Sequence, residues 1–314
     1  MIEILGKTKI DFIAWRRVAF AVSAVFSLIG IVSIVQIARG VANLGIDFAG
    51  GTSVQLRFQK PVDLGQIRGL LAASGLTDSE PQQFAGGDRI NVLLKRAEGT
   101  QAGMAQRVQE IFSKGLPDNP FTVEGTNEVG PAIGKDLQKA AFWAVTISMI
   151  GIIVYIAWRF EFKFGVAAAI ATFHDVLAVM GLFYILNKEF TLLIVTALLT
   201  LAGYSLTDTV VVFDRIRENL RGRRRESLAD VTNMSINEVL SRTIVTSLTV
   251  LLVLIALFLL GGEVLHDFSL ALIAGVFVGT YSSWFVASPI VYEWRMWERA
   301  KMKAPVKVKA KAKG

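Results

Sequence analysis

The sequence contains no cysteine, which excludes disulfides, thiol nucleophiles and cysteine-ligated metals. Its two histidines, His174 and His266, are too few for a histidine-rich metal cluster. Charge is scarce: 19% of residues are Asp, Glu, Lys or Arg, against about 25% in an ordinary soluble domain. A nucleotide site is missing as well. A phosphate-binding loop needs G-x-x-x-x-G-K-[ST] between a strand and a helix. The nearest stretch, Gly130 to Asp136, has one residue too few between its glycines and an aspartate where a hydroxyl should stand. It reads as a turn that feeds a helix. No nucleophile and base stand at catalytic spacing. The chain is therefore not expected to be an enzyme, and any energised work would draw on an ion gradient.

What the chain has in quantity is apolar sequence, 53% of it, gathered into long blocks. Crossing a hydrocarbon core of about 30 Å takes roughly 20 apolar residues in a helix. Six windows qualify: Val18–Ala38, Ala140–Trp158, Phe164–Leu186, Phe190–Phe213, Thr243–Leu260 and Phe268–Tyr292. The first is longer than the roughly 7–15 apolar residues of a signal peptide and reads as a retained helix. Trp15, Trp158 and Trp294 stand at window edges, where interfacial anchors belong. Charge then sets the orientation. Counting termini and short loops, 21 basic residues fall on one side and Lys188 alone on the other. The basic residues of a membrane protein stay in the cytoplasm. The chain is expected to be a multi-pass protein of the bacterial inner (cytoplasmic) membrane, with both termini cytoplasmic and its large loop periplasmic. Its net charge of +7 is thus a topology signal and does not imply nucleic acid.

The expected divisions are an N-terminal arm (1–17), a first helix (18–38), a periplasmic domain (39–139), five further helices (140–292) with a basic cytoplasmic segment at 214–242, and a basic tail (293–314). The tail alternates Lys with small residues, so it is expected to be disordered and to meet anionic lipid head groups. No internal repeat is visible. The periplasmic segment alternates strand and helix signals. Val54, Leu56 and Phe58 alternate with polar residues, as do Ile90, Val92 and Leu94, and Phe121 and Val123 open a last strand. Asp63–Ser74 and Gln101–Lys114 each carry a helical apolar face. The order predicts a small ferredoxin-like α+β domain, so the fold class is an α-helical polytopic membrane protein with that domain between helices one and two.

Three sets of residues are candidates for function. Asp208 lies inside the fourth window, and an ionised Asp at a helix centre costs about 2.5–3.5 kcal/mol. Such a group needs a protein or water-filled interior and a partner. Arg242, the last charge before the fifth window, is the natural one. Gly203, Tyr204 and Ser205 just upstream suit a packed polar interior. His174 and Asp175 lie in the middle of the third window, as a proton relay or a helix–helix contact. Adjacent residues point about 100° apart on a helix, so the two are not expected to share one cleft fully. His266 reads as a solvated residue of an outside turn. Gly45, Asp47, Gly50 and Gly51 form a glycine-rich bend where helix one meets the outside domain.

These residues resemble a known family. Gly45-Ile-Asp-Phe-Ala-Gly-Gly51, the long motif from Gly203 to Asn219, Ser241 to Ser247 and the His174–Asp175 pair resemble SecF-type members of the SecD/SecF protein-export family, in the resistance-nodulation-division superfamily. The likeness runs over nearly the whole chain, with Thr207 standing where many relatives carry Asn. The resemblance implies a SecD partner and a proton-motive force that completes preprotein translocation after the SecA ATPase has acted through the SecYEG channel. It also implies YajC as a further partner and an outside domain that grips the unfolded preprotein. Protons would be the coupling ion, with no cofactor or metal. Asp208 would be the proton-linked carboxylate, Arg242 its basic partner, and His174 and Asp175 further members of the proton pathway. Two alternatives stand beside this: a non-catalytic scaffold for SecD and the translocon, and a stand-alone proton-driven exporter of the same superfamily.

Overall fold

A computed structural model describes residues 8–77, 79–84, 86–95, 103–223 and 225–303 of the chain. Of the tail 293–314 expected to be disordered, residues 293–303 are instead the end of a helix, and those from 304 onward lie outside the described residues.

Helix α1 (Arg16–Ala38) is apolar all round and buries only Ala19, Ser23, Gly30 and Ser33 against protein. An apolar helix with so little protein around it belongs in lipid. A single turn, α2 (Ile46–Ala49), leads into β1 (Gly51–Phe58), then α3 (Leu64–Ala73), β2 (Ser79–Gln83), β3 (Arg89–Lys95), α4 (Met104–Gly115) and β4 (Phe121–Val129). The four strands make one antiparallel sheet in the order β2-β3-β1-β4, the ferredoxin-like arrangement. Its core is Val54, Leu56 and Phe58 from β1, Ile90, Val92 and Leu94 from β3, Ile67 and Leu71 from α3, and Val108 and Phe112 from α4.

The strand that periodicity misses is β2. Its sequence, Ser-Glu-Pro-Gln-Gln, buries only Pro81. It lies at a sheet edge, where proline is tolerated because one side of the strand needs no ladder bonds.

The remaining helices are α5 (Pro131–Arg159), α6 (Phe162–Ile185), α7 (Leu192–Gly222), α8 (Leu228–Leu260), α9 (Gly262–Ser282) and α10 (Ser288–Lys303). A π-helical turn, Ser283–Ala287, joins α9 to α10. With α1, and with α9 and α10 counted as one rod, six helices are long and apolar enough to cross a membrane. The chain is a multi-pass membrane protein. Four helices overrun their apolar windows. Helix α5 starts at Pro131, where proline suits a first turn. Helices α7 and α8 extend through most of the basic segment, leaving residues 223–227 between them. Helix α9 begins inside the expected turn, so His266 is helical and half-buried, its ring tilted against Phe258 with centroids 4.1 Å apart, rather than solvated.

Helices α6, α7 and α9 form the centre of the bundle. Close contact rests on small residues: a Cβ on Gly279 of α9 would lie 2.9 Å from the Ser205 Cβ of α7. The N-terminal arm is strapped across the basic end of the bundle. Asn237 of α8 accepts from the Ile10 amide at 3.0 Å and donates to its carbonyl at 2.8 Å. Phe12 is buried against Trp284 and Phe285 of the π-turn.

Candidate functional site

Helix α7 positions the site. Asp208 is 6% exposed, and its Oδ2 is buried without a hydrogen-bond partner among the described residues. Arg242, on α8, is near enough to act on it electrostatically, yet the two form no ion pair among the described contacts. The expected pairing is therefore a field across a gap rather than a closed salt bridge. The reason is local: Arg242 lies on the exposed face of α8, while its neighbour Thr243 is the residue turned inward. Thr243 Oγ1 is buried and unpartnered too.

Four residues before Asp208 and on the same face, the Tyr204 hydroxyl donates to Ser247 Oγ at 3.2 Å. Ser247 in turn shares a hydrogen bond of 2.9 Å with Thr280 Oγ1 of α9. Polar atoms thus line the helix interfaces beside the carboxylate. Gly203 does not pack inside the chain as expected. It faces outward, with nothing within 4 Å of where its Cβ would be.

A second carboxylate lies on the α6 side of α7, and it is built differently. Asp175 is fully buried and fully bonded. Its Oδ1 pairs with His174 Nδ1 at 2.9 Å. Its Oδ2 accepts from Ser205 of α7 and from Ser282 of α9, the latter at 2.8 Å. Contrary to the angular expectation, His174 and Asp175 therefore share one site. The imidazole folds back along α6 to its neighbour, while the carboxylate points into the gap between α7 and α9. His174 Nε2 stays buried, without a hydrogen-bond partner among the described residues. Next to this cluster, Thr209 and Ser283 share a hydrogen bond of 2.9 Å.

Ser282 and Ser283 lie where α9 passes into its π-turn, a feature common at functional sites. Sequence reading missed these two serines. Their signal was present in the run Tyr281-Ser282-Ser283-Trp284, a hydroxyl pair in the middle of an apolar window. Among the described residues, no three His, Asp or Glu side chains gather as metal ligands would.

The glycine-rich bend forms a third place of interest, at the opposite end of α7. Asp47 Oδ2 accepts from the Leu192 amide at 3.0 Å. Gly45 donates its amide to the Phe190 carbonyl at 3.0 Å, and Phe190 donates to the Asn43 carbonyl at 2.8 Å. Gly50 has φ 77°, and a Cβ on Gly51 would lie 2.4 Å from the Leu94 carbonyl oxygen of β3. The bend is therefore more than a link into β1: it seats the sheet on the bundle.

This architecture matches known proteins over most of its length. The family model for protein export membrane protein SecD/SecF, C-terminal, matches residues 113–297, and the SecD/SecF GG motif matches residues 42–62. Protein translocase subunit SecF of Thermodesulfovibrio yellowstonii is 50% identical over 93% of this chain and 96% of its own. The subunit of the same name from Magnetococcus marinus is 43% identical over 91% of this chain and 92% of its own. Among solved structures, SecDF from Thermus thermophilus, a translocon-associated membrane protein, superimposes with a TM-score of 0.79 at 37% identity. SecDF in a super-membrane-facing form gives 0.72 at 36%. The chain spans 39% and 40% of those two longer SecDF chains, while they cover 92% and 95% of it. With a family model over more than half its length and curated relatives matching nearly all of it, the chain belongs to the SecD/SecF family of protein-export membrane proteins.

Proposed function

We propose that the chain is the SecF-type subunit of a SecDF complex, in which Asp208 takes up and releases the ion whose gradient drives late preprotein translocation. The observation that carries this is Asp208 itself: a carboxylate sealed inside apolar helices, with one oxygen unpartnered and a guanidinium acting on it without closing on it. A fully paired carboxylate would be a fixed structural ion, whereas an open one gains or loses a proton at low structural cost. The coupling ion in this reading is the proton, and Arg242 is the charge that Asp208 answers to. His174 and Asp175 complete the pathway as its wall, holding α6, α7 and α9 together beside the ion-binding face.

One charge crossing a membrane at 100 mV releases about 2.3 kcal/mol. That is enough to bias a rearrangement between two states of similar energy. The distribution of basic residues supports a cytoplasmic location for both termini, and with it a periplasmic ferredoxin-like domain in a bacterial inner membrane. There the domain would meet unfolded preprotein leaving the SecYEG channel after SecA has acted.

SecD is the proposed partner, with YajC as a further one. Thr196, Thr200, Gly203 and Thr207 form an exposed stripe of small residues along α7, a surface that another helix can approach closely. The subunit acts without a nucleotide or cofactor of its own, and its basic segments meet anionic lipid.

The test is preprotein translocation into inverted membrane vesicles containing this chain with SecD. Wild type and Asp208→Asn are compared at matched protein levels, with the proton gradient present or collapsed. The gradient is expected to speed wild type and leave the variant unchanged. An equal response from both would remove Asp208 from the coupling.

A further inference from the structure

The outer domain reaches the bundle by two covalent routes, from α1 and into α5. Asp208 lies on neither route, although α5 packs on α7 through Ile156. The route out of α1 is a short capped turn: Gly40 has φ +69°, the Val41 and Ala42 amides both donate to the Gln36 carbonyl, and Val41 is exposed while Ala42 is buried. Helix α5 is peripheral, with 11% of its apolar window buried, against 44% for α7. A shift that starts at Asp208 is therefore carried first by α7.

Helix α7 runs without a break from Leu192 past Asp208. At 1.5 Å per residue those positions are about 24 Å apart along the axis. At the far end, α7 enters the glycine-rich bend. Thr191 caps the helix by accepting from the Ile194 amide at 3.3 Å, and Asp47 accepts the neighbouring Leu192 amide. A helix leaves its first amides unpaired, and an acidic side chain also complements the positive end of the dipole. Here the second acceptor comes from a different part of the chain. The backbone bonds between 43–45 and Phe190, and the bond from Asn43 Nδ2 to the Asn187 carbonyl at 3.1 Å, extend the same grip over the loop that precedes α7.

The other side of α2 is held as firmly. Gln138 of α5 donates to the Phe48 carbonyl at 2.7 Å. A Cβ on Gly134 would lie 2.9 Å from that same oxygen. Gly51 then passes under β3 with no room for a side chain. The α7 terminus, the start of α5 and two strands of the sheet thus meet on seven residues, 45–51.

We infer that residues 45–51 are a rigid joint through which α7 moves the outer domain, and that Asp47 is the positioning residue that fastens α7 to it. The inference rests on the proposed ion handling at Asp208 and adds the route by which it reaches the domain. Displacement of α7 along or about its axis is delivered to β1 and β3 through the Asp47–Leu192 and Gly45–Phe190 bonds, and α5 follows as a passenger.

The chain's lack of cysteine makes the test clean. Translocation would be measured in vesicles containing the full chain with SecD. Asp47→Ala removes the fastening, while Asp47→Asn keeps a side-chain oxygen to accept the Leu192 amide. The gradient-driven part of the rate is expected to fall roughly tenfold in Asp47→Ala, the equilibrium weight of one good capping bond. It is expected to stay near wild type in Asp47→Asn, with SecD co-purification unchanged in both. A full gradient response in Asp47→Ala would overturn the joint.

Should Asp47→Ala fail to accumulate, the double variant Gly45→Cys with Thr191→Cys decides. The Cβ that residue 45 lacks would lie 2.6 Å from Thr191 Cγ2, so the two side chains meet, and a disulfide formed with a small local shift would lock the joint. A rigid joint works when locked, so oxidised and reduced protein are expected to respond alike. Loss of the gradient response on oxidation, with recovery on reduction, would overturn the inference. If Asp208→Asn responds like wild type while Asp47→Ala does not, the joint stands and the assignment of the ion-binding carboxylate falls.

Discussion

Asp175 and Asp208 are both buried carboxylates in apolar helices, and their surroundings assign them opposite tasks. Asp175 receives hydrogen bonds at both oxygens from three helices. Asp208 has a bare oxygen and a cation that acts on it without closing an ion pair among the described contacts. An unpaired buried polar group costs about 1–3 kcal/mol. Asp175→Ala would take the partner from His174 Nδ1 and Ser205 together, while Ser282 keeps its bond to the Gly279 carbonyl. It is expected to destabilise the protein by at least about 2 kcal/mol, seen as a lower thermal midpoint in detergent. Asp175→Asn keeps an acceptor and offers a donor that the serine hydroxyls can take. It is expected to fold near wild type and to retain the gradient response in vesicles. A response lost in Asp175→Asn at normal abundance would make Asp175 an ion carrier in its own right. Sequence made both acids conspicuous, because charge inside an apolar window is rare. It did not show that adjacent residues share a site, because that depends on an imidazole folding back along its own helix.

Among the elements, long apolar periodicity was legible and helix ends were not. Each of the six windows falls on a helix, all but Leu186, Phe190 and Thr191 at their ends, yet α5 and α8 begin 9 and 15 residues before their windows do. Backbone hydrogen bonding continues a helix into water wherever caps permit: Ser227 caps α8 through the Asp230 amide, well into the basic segment. Likewise β2 gave no alternation because it is an edge strand with little to bury.

The π-turn had no signal in the periodicity either, although its residues meet Phe12 through Trp284 and Phe285. The outward face of α7 carries a prediction of its own. A Cβ at Gly203 would meet no described atom within 4 Å outside its own helix backbone, so Gly203→Leu points away from this chain. It is expected to leave expression and thermal midpoint unchanged while reducing SecD co-purification several-fold. A midpoint that drops with full SecD recovery would mean the stripe faces lipid and disturbs only the helix itself.

For the whole molecule, the decisive property is charge asymmetry across the bilayer. The end of the bundle that carries Arg159, Lys163, Arg215, Arg217, Arg221 and Arg223 is the end to which the N-terminal arm is strapped, through Asn233 and Asn237. The sheet sits at the other end, seated on the α6–α7 loop through the joint at 45–51. Moving so many guanidinium and ammonium groups through a hydrocarbon core would cost far more than moving a domain near charge balance, which supports the proposed orientation with the basic end on the side of synthesis.

Single cysteines in this cysteine-free chain give a direct measurement. Asp118→Cys, exposed beyond α4, is expected to react with a membrane-impermeant maleimide in cells whose outer membrane alone is permeabilised. Arg225→Cys, exposed between α7 and α8, is expected to react only after the inner membrane is opened. The reverse pattern would place the domain in the cytoplasm. A domain there could not meet a polypeptide that has already left the channel, and the proposed pull on exported chains would fall with it.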